Sequence, residues 1–218
     1  MKKENPGKAR MLLAAYGLWT AAVCLVDVQS IGPQGTAVGF ARMNRLFHDF
    51  TGVHMPLYIL TDWLSLVPLS IALGFALLGL YQWISRRNIR KVDTDILLLG
   101  GFYGVVMGVY ALFEVLVVNY RPILIQGMLE ASYPSSTTVL VLCVMGTAEQ
   151  HLRQRISNST LRKGVMLTIR VFTCFMVAGR LFSGVHWLTD IIAGALLSAG
   201  LVKLYGYFVS KYKSPAGA

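Results

Sequence analysis

Residues that can act on a phosphate group occur in three short segments of this 218-residue chain. The segment with the most chemistry contains Arg180, His186 and Asp190. Their spacing places His186 and Asp190 on one face of a helix, where the carboxylate accepts a hydrogen bond from one ring nitrogen and leaves the other free. An imidazole oriented in this way can act as a nucleophile or a base, and the nearby Arg180 favours an anionic substrate. A proton relay and a structural ion pair are the alternatives.

The other two segments carry groups that bind anions. Arg121 stands before a proline at the end of an apolar run, and Glu114 lies two helical turns earlier, where it can hold the guanidinium in place. Pro134 opens the next run and is followed by hydroxyl residues, beginning with Ser135 and Ser136. A helix start of this kind offers N–H groups and hydroxyls to an anion. A snorkelling arginine and an ordinary helix cap are the alternatives.

The elements that must position these segments are membrane helices. Apolar and aromatic residues make up 55% of the chain, charged residues make up 14%, and the mean hydropathy is +0.58. This composition excludes a disordered chain and a small disulfide-stapled domain. Most of the six apolar runs reach the roughly 20 residues that a transmembrane helix needs. The runs are Met11–Val28, Trp63–Ile84, Ile96–Val118, Pro134–Ala148, Gly164–Phe182 and Trp187–Val209.

We therefore predict an all-α polytopic membrane protein with six transmembrane helices, in which residues 1–218 form a single membrane-embedded domain. The net charge of +10 would indicate a nucleic-acid partner in a polar protein, but here it indicates a membrane and no nucleic acid. The basic residues that flank alternate runs are Lys2, Lys3, Lys8, Arg10, Arg86, Arg87, Arg90, Lys91, Arg153, Arg155, Arg162, Lys163, Lys211 and Lys213. The positive-inside rule then places both termini in the cytoplasm and all three segments at the extracytoplasmic face. A bacterial-type plasma membrane fits this pattern, and an endomembrane would look alike.

The long loop over residues 29–56 carries Phe40, Met43, Phe47 and Phe50 at spacings of three and four. This pattern predicts a short amphipathic helix that lies in the headgroup layer. An ordinary helix packed over the bundle is the alternative.

The three segments together resemble the type 2 phosphatidic acid phosphatase superfamily, which are membrane lipid phosphatases with a six-helix bundle. One signature of that superfamily is Ser-Arg, five residues, His, three residues and Asp. Arg180, His186 and Asp190 keep this spacing, with Gly179 in place of the serine. The resemblance extends over about residues 95–210.

The other two signatures are matched in part. A lysine followed after six residues by Arg-Pro is the first, and Arg121 with its proline supplies the end of it. The tetrad Pro-Ser-Gly-His is the second, and Pro134 with Ser135 supplies its start. Order and intervals agree with the superfamily.

The resemblance implies the roles of individual residues. His186 would be the nucleophile that forms a phosphohistidine, and Asp190 would orient it. The phosphate-binding residues would be Arg121, Ser135, Ser136 and Arg180. The substrate would be a lipid phosphate or lipid diphosphate in the bilayer, and no metal or cofactor would be needed. The predicted function is that of an integral membrane hydrolase of lipid metabolism.

Two positions depart from the superfamily pattern. Glu114 stands where the lysine is expected, and Thr137 stands where a histidine protonates the leaving group. Loss of general acid catalysis costs a factor of about 10² to 10⁴ in rate. Three explanations remain open: a lipid diphosphate whose leaving group needs little protonation, an introduced substitution that traps the enzyme, and a catalytically impaired relative that binds phospholipid headgroups. A small transporter is a further alternative, but it would require an internal repeat, and the chain shows none.

Overall fold

The computed structural model describes residues 5–212, which form a bundle of helices with one short β-ladder. The helices are α1 Pro6–Leu25, α2 Ala41–Thr51, α3 Met55–Leu64, α4 Leu66–Arg86, α5 Thr94–Val115, α6 Ser136–Arg155, α7 Ser159–Phe182 and α8 Leu188–Tyr212. The strands β1 Gln29–Ser30 and β2 Ala37–Val38 pair antiparallel, and two 3₁₀ turns occupy Pro33–Gly35 and Ile89–Lys91. Lys2, Lys3 and Lys213, assigned above to cytoplasmic flanks, lie outside the described residues.

Each of the six apolar runs lies largely within one long helix, and local chemistry determines where several of these helices begin. Pro6 occupies the first turn of α1, and the Asn5 side chain accepts a hydrogen bond from a backbone N–H of that turn. Asn158 caps α7 in the same way, by accepting two backbone hydrogen bonds. The helical fold predicted from the sequence is confirmed.

Four stretches within residues 5–212 are helical, long and apolar enough to cross a membrane. They are Met55–Arg86, Thr94–Val115, Ser159–Phe182 and Leu188–Tyr212. The two other predicted spans, α1 and α6, are not among them. Helix α6 continues beyond its apolar run to Arg155 and carries charged residues in its last turns. The chain is therefore an all-α membrane protein, whereas six spans and their orientation stay predictions.

Helix α8 lies at the centre of the bundle. Half of its most apolar stretch is buried, compared with 6% for Met55–Arg86. Small residues let its neighbours approach closely, since a Cβ at Gly200 would lie 2.7 Å from a methyl carbon of Leu13 on α1. The apolar core joins α5, α6 and α8 through Leu99, Phe102, Val139, Cys143, Leu197 and Leu201. This packing fixes the start of α8 against the start of α6.

The loop over residues 29–56 packs over the bundle through α2. The side chain of Asn44 is fully buried, and its Nδ2 donates to Thr189 Oγ1 at 3.0 Å and to the carbonyl of Gly39 at 2.8 Å. Leu46 and Phe50 are 74% and 83% exposed. Helix α2 therefore packs over the bundle through one face and leaves Leu46 and Phe50 uncovered on another, and its place in the headgroup layer stays a prediction.

Candidate active site

The three sequence segments meet where α7 ends and where α6 and α8 begin. Arg121 Nη1 lies 3.4 Å from His186 Nε2, and Arg180 Nη2 donates to Thr137 Oγ1 at 2.7 Å. The guanidinium carbons of Arg121 and Arg180 lie 5.8 Å and 4.8 Å from the centre of the Tyr58 ring. Two cations, the histidine and the start of α6 are therefore neighbours in one site.

His186 is buried in the turn between α7 and α8, with 3% of its surface exposed. Burial lowers the pKa of His186 from 6.5 to about 4, and the charge of Arg121 acts in the same direction. The imidazole is therefore neutral near pH 7. Because a guanidinium can only donate, the contact with Arg121 assigns the lone pair to Nε2 and the ring proton to Nδ1.

Asp190 is fully buried, but it does not form the hydrogen bond to His186 that the sequence predicts. The distance from His186 Nδ1 to Asp190 Oδ2 is 3.8 Å, which exceeds a hydrogen bond. The carboxylate instead accepts hydrogen bonds from Asn119 Nδ2 at 3.1 Å and from the Trp187 backbone N–H at 3.0 Å. The predicted shared helical face is also wrong, because α8 begins at Leu188 and His186 precedes it. Asp190 caps the turn and remains a charged neighbour of the imidazole.

The turn that carries His186 is shaped by its contacts with the outer loop. Gly184 has a φ of +71°, and a Cβ there would lie 2.0 Å from the carbonyl oxygen of Gly52, so glycine is required. His48 Nε2 lies 3.2 Å from the carbonyl oxygen of Gly184, and the backbone N–H of His54 donates to the Ser183 carbonyl at 2.9 Å. These contacts hold the imidazole against the bundle.

Arg180 lies in the last turn of α7 and is 2% exposed. Helix α3 supplies most of its partners. Nη1 lies 3.4 Å from both the Tyr58 carbonyl and Thr61 Oγ1, and Nη2 lies 3.4 Å from Asp62 Oδ1. This contribution of α3 was not predicted from the sequence. An acidic residue within an apolar stretch, Asp62, was the available signal.

The contact with α3 also explains the glycine that precedes Arg180. A Cβ at Gly179 would lie 2.6 Å from Thr61 Cγ2, so the serine of the superfamily signature does not fit beside this threonine. Thr61 is fully buried and its hydroxyl faces the guanidinium of Arg180. The absence of a side chain at Gly179 therefore leaves room for the methyl group of Thr61.

Glu130 is the carboxylate that holds Arg121. The prediction that Glu114 does so is wrong. Arg121 Nε lies 2.9 Å from Glu130 Oε2, and the Arg121 backbone N–H donates to the Glu130 carbonyl at 3.0 Å. Helix α5 ends at Val115, so the chain leaves the helical register before Arg121. Glu114 is exposed and borders a cavity beside Tyr110.

The hydroxyl residues at the start of α6 differ in their surroundings. Ser135 is buried at the N-cap, and its Oγ accepts from Thr138 Oγ1 at 3.0 Å. Its backbone N–H donates to the Asp190 carbonyl at 3.2 Å. Ser136 and Thr137 instead border the cavity. Thr137 Oγ1 accepts from Arg180, and a hydroxyl that accepts one hydrogen bond can still donate its own proton.

The cavity has a volume of about 220 Å³ and lies between α5 and the start of α6. The polar residues of its lining include Glu114, Ser136 and Thr137. The remaining lining is mostly apolar and includes Leu69, Val106, Met107, Phe113 and Leu140. A lining of this mixed character suits a molecule that has both polar and apolar parts.

The structure thus holds two buried arginines and a buried histidine together within a helical membrane bundle. Residues 114–214 match the sequence profile of the PAP2 superfamily, which confirms the resemblance to type 2 phosphatidic acid phosphatases. The chain is also similar in structure to a transmembrane PAP2-type phosphatidylglycerolphosphate phosphatase from Bacillus subtilis. The TM-score is 0.62 at 20% sequence identity, over 94% of this chain and 98% of that one. No curated protein matches the chain. The protein thus has the fold of a PAP2 superfamily membrane phosphatase.

Proposed function

We propose that the protein is a membrane lipid phosphatase that transfers the phosphoryl group of a lipid phosphate or diphosphate to His186 and then to water. The contact of 3.4 Å between Arg121 Nη1 and His186 Nε2 carries this proposal. It places the lone pair of a neutral imidazole beside one of two buried cations, and this lone pair must leave its contact with Arg121 before it attacks phosphorus. Positive charge at this point stabilises the negative charge that develops on a phosphoryl group during transfer.

In the first step, the lone pair of His186 Nε2 attacks phosphorus and the bond from phosphorus to the leaving oxygen breaks, with its electron pair remaining on that oxygen. Arg121 and Arg180 bind the phosphoryl oxygens, as do the N–H groups at the start of α6. In the second step, water attacks the phosphorus of the phosphohistidine and the P–N bond breaks, with its electron pair returning to Nε2. The proton of the attacking water goes to the released inorganic phosphate or to solvent, and the neutral imidazole is restored. Asp190 stabilises the positive charge that the ring carries in between.

The substrate phosphate must replace two carboxylates that neighbour the arginines. The side chains of Asp62 and Glu130 are 59% and 41% exposed. A phosphate that contacts both guanidiniums can therefore displace them.

The nature of Thr137 favours a diphosphate over a monoester. An alkoxide leaving group needs a proton, and a threonine hydroxyl does not act as an acid near pH 7. A lipid monophosphate expelled from a diphosphate has a pKa of about 6 and leaves as an anion. Thr137 then serves as a hydrogen-bond donor to the phosphate, and Arg180 fixes its oxygen.

We place the site at the extracytoplasmic side of a plasma membrane, with six spanning helices and both termini in the cytoplasm. The distribution of basic residues supports this orientation. A lipid would reach the site through the cavity between α5 and α6, with its headgroup at Ser136 and Thr137. Phosphatidylglycerol phosphate, named for the Bacillus subtilis neighbour, is one candidate substrate.

A phospholipid-headgroup binding protein without turnover is the second candidate function. The observation that favours it is the threonine at position 137, whose hydroxyl is held by Arg180 at 2.7 Å. This alternative predicts saturable binding of phospholipids that weakens on Arg180→Ala substitution. It also predicts no phosphohistidine at position 186.

Phosphate release from three lipids tests the proposal. The purified protein in detergent is assayed on phosphatidic acid, phosphatidylglycerol phosphate and a polyprenyl diphosphate. We expect release that is abolished by His186→Gln and retained by His54→Gln, a matched change at an exposed histidine at the same end of the bundle. Absence of release from all three lipids, both for this chain and for Thr137→His, would remove the enzymatic function.

A further inference from the structure

Another cavity, lined mostly by cations, lies at the end of the bundle opposite to His186. It has a volume of about 480 Å³ and opens between the end of α6 and the start of α7. Its lining consists of Arg153, Arg162, Lys163, Met166, Leu167 and Arg170. Eighteen residues of α7 separate Arg162 from Arg180, a distance of about 27 Å along the helix. The cavity is thus separate from the candidate active site.

The positive charge of this cavity is only partly compensated. Four of its six lining residues are cations, and Glu149 is the carboxylate that approaches them. Glu149 Oε1 lies 2.6 Å from Arg170 Nη2 and 3.1 Å from Arg153 Nη2. Arg162 donates to the carbonyl of Ile156 at 3.2 Å, which holds its guanidinium at the α6–α7 turn. Among residues 5–212, Glu149 is the one carboxylate with a recorded contact to these four cations, which leaves a surplus of positive charge.

The cavity is also amphiphilic. Met166 and Leu167 contribute apolar surface directly beside the cations. On α7, one of the four helices apolar enough to span a membrane, Leu161, Leu167 and Val171 are 58%, 63% and 60% exposed. Charged and uncovered apolar residues meet in this way at the boundary between headgroups and acyl chains. A molecule that satisfies both parts has an anionic head and an apolar tail.

We propose that this cavity binds the headgroup of an anionic phospholipid, with its acyl chains along the exposed face of α7. The phosphate would contact Arg162, Lys163 and the arginines that share Glu149. Basic pockets at the ends of membrane helices bind acidic lipids through this combination of charge and apolar contact. The inference does not depend on catalysis at His186.

Binding of phosphatidylglycerol, which lacks a phosphate monoester, tests the site in the full-length protein in detergent. The double variant Arg162→Gln/Lys163→Gln removes two cations of the lining. Arg87→Gln/Arg90→Gln removes two exposed cations outside the cavity and is the matched control. The contact of Arg155 with Asp95 at 3.2 Å places this control loop at the same end of the bundle.

We expect the cavity variant to bind phosphatidylglycerol about 30-fold more weakly, from about 1 kcal/mol for each cation near the lipid. The control should retain binding within about threefold, and phosphatidylcholine should bind weakly to all variants. Lys163→Gln alone also tests whether the cations of the cavity bind the lipid. It leaves the contact of Arg162 with the α6–α7 turn in place, and Lys163 itself is exposed. We expect it to weaken binding about fivefold, half of the double effect on a logarithmic scale.

Equal weakening of phosphatidylglycerol binding by the cavity variant and by the control would overturn the proposal. The cations at this end of the bundle would then attract the lipid only through their overall charge. Binding of soluble glycerol phosphate as tight as that of phosphatidylglycerol would also overturn it, because the acyl chains would contribute nothing. Thermal unfolding of each variant shows whether a loss of binding comes from a loss of fold.

Discussion

The substitution Thr137→His restores the residue that the superfamily signature places at this position. Thr137 is 7% exposed and borders the cavity of about 220 Å³, so an imidazole has room beside the headgroup. The change also removes the hydroxyl that accepts a hydrogen bond from Arg180. It therefore adds an acid and at the same time loosens one phosphate-binding group.

The two effects differ in how they depend on the substrate. A hydrogen bond to a charged group contributes about 1.5–3 kcal/mol, and its loss should lower kcat/KM for every substrate by about 10- to 100-fold. An added general acid should raise turnover by about 10² to 10⁴ when the leaving group is an alkoxide. It should raise turnover little when the leaving group is a phosphate with a pKa of about 6. The ratio of monoester to diphosphate activity therefore isolates the acid.

Phosphate release from phosphatidic acid and from a polyprenyl diphosphate is measured for the wild type, Thr137→His and Thr137→Val. The valine variant loses the same hydroxyl without gaining an acid. We expect Thr137→His to raise the monoester-to-diphosphate ratio at least 100-fold and Thr137→Val to leave it unchanged. An unchanged ratio in a folded Thr137→His variant would refute the assignment of position 137 to the leaving group.

Two further predictions concern the packing and charge of the site. Gly179→Ser should lower the free energy of unfolding by about 1–3 kcal/mol, because the added Cβ meets Thr61 Cγ2 at 2.6 Å, and Thr61→Ser in the same chain should restore most of it. Denaturation of the single and double variants measures this, and additive losses would contradict it. Burial lowers the pKa of His186 from 6.5 to about 4. The free energy of unfolding should therefore fall by up to about 3 kcal/mol as the pH falls from 6.5 to 4. Above pH 6.5 the imidazole is neutral in both states, whereas below it the unfolded chain takes up the proton first. The free energy of unfolding, measured between pH 4 and 8, should fall with falling pH in the wild type but not in His186→Gln. Equal pH dependence in the two proteins would exclude the lowered pKa of His186.

The local parts of the site follow from the sequence, whereas its long-range contacts do not. Spacing alone predicted that Arg180, His186 and Asp190 lie together, because only ten residues and one turn separate them. The hydrogen bond of Asp190 with Asn119 depends on packing between segments that are 71 residues apart in the chain. No pattern in a single sequence indicates such pairings.

The predictions that failed also concerned contacts that are not made within one helix. Glu114 was predicted to hold Arg121 on the assumption that one helix continues through both, but α5 ends at Val115 and Glu130 reaches the guanidinium from across the loop. The contacts of α3 with Arg180 were missed because Tyr58 lies more than a hundred residues away in the chain. The apolar runs predicted the helices well, since hydrophobic length is a property of each segment by itself.

Trapping of the covalent intermediate is the most direct test of the central claim that His186 accepts the phosphoryl group. The wild type is mixed with a lipid diphosphate labelled in its terminal phosphate, quenched within one turnover, digested and mapped. The label should appear on His186 as an acid-labile, base-stable adduct, persist in His54→Gln and vanish in His186→Gln. Turnover with the label at another residue, or with no labelled protein at any time, would contradict the account.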